Sequence, residues 1–166
     1  MAKKETKFDV QGFEIVTKAI QSLLDGFPGL YEGGEIAFST IGKESGIAWY
    51  PVRGGVIDDE TEDILGHVTQ LCSYPFYVVY RAGGTSSERK VGIKEFLDSL
   101  GCYLEKQPIQ VGEETYVLEE YPSLTDGRII KEISRQTPAF LNQAYENGVE
   151  DWEIAITLKY QNEFDR

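Results

Sequence analysis

Apolar residues recur at three- and four-residue steps through Val10, Phe13, Val16, Ile20, Leu23 and Phe27. That spacing predicts an amphipathic helix from Asp9 to Gly26, with Asp9 placed to cap it and Gly26 to end it. Pro28-Gly29 and Gly33-Gly34 then mark turns. Two strand-like runs follow, Glu35–Ile41 and Gly46–Val52, and Gly42-Lys43-Glu44-Ser45 between them predicts a hairpin. The stretch from Gly54 to Asp63 is polar and acidic and reads as a solvated loop. From His67 to Ala82 the chain reads as one long strand. Its segment Phe76-Tyr77-Val78-Val79-Tyr80 is bulky on both faces, which predicts the middle of a covered sheet. Pro75 marks a bend or bulge before it.

Gly83-Gly84 breaks that strand, and Thr85-Ser86-Ser87-Glu88 fits a capping box. A second helix is predicted from Ile93, Phe96, Leu97, Leu100, Tyr103 and Leu104, which form one stripe, and Pro108 stops it. Strands are expected at Thr115–Leu118, Arg128–Ser134 and Trp152–Tyr160. In the last, Trp152, Ile154, Ile156, Leu158 and Tyr160 alternate with Glu153, Ala155, Thr157, Lys159 and Gln161, so one face is buried and the other wetter. Pro138 to Asn147 reads as a short helix ending at Gly148. Strands and helices do not alternate strictly. The fold class is therefore α+β, a mostly antiparallel sheet with two main helices packed on it, in one domain spanning residues 1–166.

Charge narrows the partners. The net charge is −12, from 28 acidic and 16 basic residues. A duplex reader needs a basic face to neutralise phosphates, so specific DNA or RNA binding is not expected. Anionic lipid is disfavoured for the same reason, and no run approaches the ~20 apolar residues of a membrane helix. The charged start, Met-Ala-Lys-Lys-Glu-Thr-Lys, does not look like a signal peptide. Cys72 and Cys102 form no CxxC pair and read as small core fillers suited to a reducing cytosol.

Candidate chemistry changes little. His67 is the single histidine, so a His-pair metal site is excluded and a triad would have to use it. Gly42-Lys43 lacks the phosphate-loop pattern, because Ala37 and Glu44 stand where glycine and Ser or Thr belong. The run Asp58-Asp59-Glu60-Thr61-Glu62-Asp63 lacks the alternating ligands and central glycine of a calcium loop. No catalytic, cofactor or metal residue is assigned. Ten tyrosines and two tryptophans, without interleaved Lys and Arg, point to protein interfaces rather than base stacking.

The segment Ser73-Tyr74-Pro75-Phe76-Tyr77-Val78-Val79-Tyr80-Arg81 carries a resemblance. So do Arg89-Lys90, the run Lys94-Glu95-Phe96-Leu97-Asp98-Ser99-Leu100-Gly101, and Tyr103-Leu104-Glu105. Together they resemble the tail-terminator, or minor capsid, proteins of phages of Gram-positive hosts. The resemblance implies a ring, hexameric in that family. Such a ring caps the head-proximal end of the tail tube, stops its growth and meets the head-tail connector or head-completion proteins. It also implies a virion location in the tail or neck after assembly in host cytoplasm. DNA would pass through without specific binding, and no membrane is involved. The candidate interface or lumen residues are Asp58, Asp59, Glu60, Glu62, Asp63, Arg81, Arg89 and Lys90.

Three other readings compete. One is an acidic immunity protein that neutralises a basic toxin. Another is a different ring protein of the phage neck or tube. The third is an acyl or phosphoryl transferase, for which only His67 could act as a histidine base.

Overall fold

The computed structural model describes residues 7–31, 34–84 and 86–166. Gly33, Thr85 and the first six residues, on which parts of the sequence reading fall, lie outside them.

The first helix, α1 (Val10–Asp25), follows a two-residue strand, β1 (Lys7–Phe8). Asp9 caps α1 by accepting the Gly12 N–H, and the Gly26 N–H closes the far end on Ser22 and Leu24 carbonyls. Val16, Ala19, Ile20, Leu23 and Leu24 form its buried face. Each large one contributes about 1.5–3 kcal/mol through burial.

Next come β2 (Ile36–Phe38), β3 (Gly46–Pro51), β4 (Val56–Glu62) and the long β5 (His67–Gly83). The second helix, α2 (Ser87–Leu104), is capped by Ser86, whose hydroxyl accepts the Arg89 N–H, one residue later than the capping-box reading placed it. Then follow β6 (Ile109–Val111), β7 (Glu114–Tyr116), β8 (Arg128–Arg135), β9 (Phe140–Ala144) and β10 (Val149–Asp165). β6 and β7 form a separate small hairpin. Among the described residues, no helix is long and apolar enough to cross a membrane.

The main sheet is built on β5 and β10, antiparallel from Val149↔Gly83 to Asp165↔His67. At one end the strand order is β2-β3-β5-β10-β9, and at the other it is β1-β4-β5-β10-β8. The α+β class with a mostly antiparallel sheet is what the sequence predicts. Pro75 stands where the neighbour of β5 changes from β4 to β3, and its carbonyl accepts the Val52 N–H. N–H and C=O of one antiparallel residue point the same way, so the missing N–H falls in that gap and costs β10 no bond.

Three expectations are corrected. β2 and β3 are not a hairpin: they pair parallel, Ile36 opposite Ile47. Both isoleucines point into the core, and the Gln21 amide takes the Ile36 carbonyl, which fixes β2 from the helix side. A three-residue strand needs only residues 39–45 for its return, less than a usual crossover. The acidic loop is largely a strand, because β5 offers β4 a ladder and a bulge at Asp58 absorbs the misfit. The helix read at 138–147 is β9 instead, with Leu141 opposite Trp152.

Both helices pack on one sheet face. Tyr74 stacks on Phe13 at 5.4 Å and shares a 2.7 Å hydrogen bond with Thr17. Tyr80 meets Phe96 edge-on. Gly101 lets α2 approach closely, since a Cβ there would lie 3.0 Å from Ile154. β5 is central as expected, yet only this face is covered. Cys72, Tyr74, Phe76 and Val78 are buried in the core beneath the helices, and Val68, nearer the start of β5, is buried outside that cluster. Thr69, Ser73, Pro75 and Tyr77 on the opposite face are only half-buried, and Leu71 is exposed.

Candidate assembly interface

The acidic candidates sit on an arm made by β4, its turn and the start of β5. Alternation sends Glu60 and Glu62 to one face, opposite Gln70 and Val68, and Asp59 to the other, opposite Leu71. Glu60 accepts a 2.7 Å hydrogen bond from Gln70, and Arg166 reaches both Glu60 and Glu62. The Gln70 hydrogen bond, opposed by slight burial and helped by Lys7 and Arg166, lowers the Glu60 carboxyl. Asp63 shapes the turn by accepting the N–H groups of His67 and Leu65. Asp58 and Asp59 are exposed and make no hydrogen bond or ion pair among the described residues. The turn itself carries Ile64 and Leu65, which are 101% and 87% exposed. Two bare aliphatic side chains at the tip of an acidic arm are a feature the sequence reading missed.

His67 opens β5 and faces the end of β10. Its Nδ1 lies 2.8 Å from Asp165, and its Nε2 lies 3.8 Å from Glu163. The Asp165 hydrogen bond holds the imidazole above its ordinary pKa. These contacts tie the start of β5 to the end of β10.

Arg81 is not a free interface cation. Its guanidinium is bidentate to Asp151, at 2.7 and 2.9 Å, and donates to the Gly42 carbonyl at 3.0 Å. Tyr145 donates to Asp151 at 2.8 Å, and its ring lies 5.5 Å from the guanidinium carbon. Arg81 hydrogen bonding pulls the Asp151 carboxyl below the usual range. This cluster clamps β5, β10 and the 39–45 connection. Arg89 and Lys90 lie in the first turns of α2. Lys90 pairs with Glu150 at 3.3 Å, whereas Arg89 is exposed and has no ion pair among the described residues.

The candidates therefore divide between the arm and the upper end of the sheet, and no single locus gathers them. What lies between is the uncovered sheet face. There Tyr50 and Tyr77 stack cross-strand, 5.4 Å apart and 17° from parallel. Val79 and Glu153 face each other beside them, with Phe140 opposite Glu153 on β9. Burial pushes the Glu153 carboxyl up, helped by Asp151. The alternation of Tyr77, Val79 and Arg81 with the helix-facing residues was the sequence signal for this surface.

Among the described residues, no group of three or more His, Cys, Asp and Glu side chains is gathered to hold a metal ion. The arrangement offers recognition chemistry: a stacked aromatic pair, a half-buried carboxylate and exposed aliphatic side chains. In comparisons with known proteins, no family model and no curated protein matches this chain.

Proposed function

We propose that the protein is a structural assembly protein of the phage tail-terminator kind, forming a closed ring that caps the head-proximal end of a tail tube. Capping stops tube growth and gives the head-completion proteins a surface to join. The observation that carries this reading is the uncovered sheet face. A two-layer α+β fold normally hides the apolar side of its sheet under helices, and here the second side leaves Tyr50 and Tyr77 half-buried and Leu71 exposed, with Val79 buried beside them. Together with the bare Ile64 and Leu65, this surface supports the reading of the chain as one subunit of an assembly. Contacts between different faces of identical chains are heterologous, and they make a ring when the rotation between neighbours closes. The acidic arm suits a passage for DNA, since like charge keeps phosphates from sticking.

The direct test grows tail tubes from purified tube protein with and without this chain. On the proposal, tubes stop lengthening and carry density at one end by electron microscopy. Tubes that grow to the same lengths with bare ends would defeat it.

One observation favours a second reading. The exposed acids Asp58 and Asp59 collect on a projecting arm with Glu163 and Asp165. An inhibitor of a basic toxin would gather its acids in this way. Stoichiometric binding of a basic protein by a stable monomer would favour that alternative.

A further inference from the structure

The uncovered face holds two similar side-chain sets, and only one of them is complete. In the first, Arg81 forks onto the Asp151 carboxylate at 2.7 and 2.9 Å, with the Tyr145 ring 5.5 Å away. The second lies two residues along both strands. There Glu153 takes the place of Asp151, and Tyr77, stacked on Tyr50, supplies from the β5 side the aromatic surface that Tyr145 supplies from the β9 side. Where Arg81 would have its counterpart, β5 carries Val79, directly opposite Glu153. The carboxylate of Glu153 makes no hydrogen bond or ion pair among the described residues, although it is half-buried. Around it lies a depression of about 460 Å³, lined by Tyr50, Tyr77, Val79, Asn142 and Glu153 and walled by the Arg81–Asp151 pair.

We propose that this depression receives an arginine side chain from a partner protein, its guanidinium paired with Glu153 and lying against the Tyr50–Tyr77 stack. A half-buried carboxylate without a partner is costly to keep charged, and an arriving cation removes that cost. The aromatic pair adds attraction for a cation, and a planar guanidinium suits both the ring and the carboxylate better than a compact ammonium does. Val79 gives the arginine's methylene stem an apolar floor. Burial, then Glu153 and then Tyr50, raises the Tyr77 phenol, which places Glu153 in electrostatic contact with that ring. Charge agrees at long range, since a chain of net −12 attracts a basic surface. The inference goes beyond the ring reading and does not need it, since it rests on the chemistry of the depression alone.

The test uses the full chain, with its tyrosine rings isotope-labelled, titrated with acetyl-Gly-Arg-Gly-amide and followed by NMR. The lysine peptide and the uncharged citrulline peptide serve as controls. The expected result is a saturable shift of the Tyr50 and Tyr77 ring signals, weaker with lysine and lost with citrulline. Glu153→Gln should keep the amide spectrum of the folded chain and weaken arginine binding about tenfold, which corresponds to about 1.4 kcal/mol. Tyr77→Leu, a second variant, should weaken it as well. No saturable shift, an unchanged affinity in Glu153→Gln, or equal binding of citrulline or lysine would overturn the proposal. None of these readouts depends on oligomeric mass, so failure here and failure of the ring reading are separable.

Discussion

Asp9 and Arg128 meet across the whole fold, with the guanidinium forked onto the carboxylate at 2.8 and 2.7 Å. The same carboxylate caps α1 through the Gly12 N–H and accepts the Tyr160 hydroxyl at 3.0 Å. One buried group thus joins the start of α1 to β8 and to β10. Burial alone would raise the Asp9 carboxyl, but Arg128, Gly12 and Tyr160 together hold it below the usual range. Burial also pushes the neighbouring Cys72 thiol up to about 11, so Cys72 is an unreactive core residue.

Removing one partner of a buried pair strands the other charge. Arg128→Ala should therefore lower stability by about 3–5 kcal/mol, read as a shift in the urea midpoint. Lys94→Ala, which breaks the exposed pair with Asp98, should cost about 0.5 kcal/mol or less. Equal losses would contradict the assigned role. Because the folded carboxyl of Asp9 is lowered, its contribution is present above the unfolded value of about 3.9 and fades as pH falls through the folded value. Asp9→Asn should flatten that acid-side loss of stability.

Gly12→Ala is the sharper probe of the same network. In a helix this change usually gains up to about 1 kcal/mol. Here the new methyl would run into the Asp9 carboxylate and come within 2.6 Å of the Tyr160 hydroxyl. The variant should melt below the parent chain; a gain in Tm would show that the cap can move.

The imidazole of His67 should titrate above its ordinary value of about 6.5, chiefly through Asp165. A raised folded pKa stabilises the protein fully below the unfolded value, and the effect is lost as pH rises through the folded one. NMR titration of the ring should show the raised value, and Asp165→Asn should bring it down. An unchanged midpoint in that variant would remove Asp165 as the cause.

Much of the fold was legible because its strongest elements are long and regular. Val10 to Phe27 repeats at helical spacing, and Trp152 to Tyr160 alternates without a break. The misses have local causes. Asn147-Gly148 is a hairpin signal, with Gly148 at φ +84 and the Tyr145 N–H bonded to the Val149 carbonyl, yet it also suits a helix end. β4 has little strand propensity of its own and takes its form from β5. Of the candidate surface, the acids on the arm were visible as a charge run. Neither the capture of Arg81 by Asp151 nor the open set around Glu153 could be seen, since both depend on the β5–β10 register.

The bare tip of the arm separates folding from assembly. Ile64→Ser with Leu65→Ser should leave the stability of the isolated chain within about 0.5 kcal/mol, because both side chains are already in solvent. The double variant should assemble less well than the parent chain by sedimentation. Assembly unaffected by the change would take the tip out of the interface.

Solution mass by light scattering, across a range of concentrations and with tail tube protein added, tests the assembly claim most directly. A discrete ring mass, or a monomer that becomes such a ring on the tube, is the expected result. A monomer at every concentration, indifferent to tube protein, would contradict it.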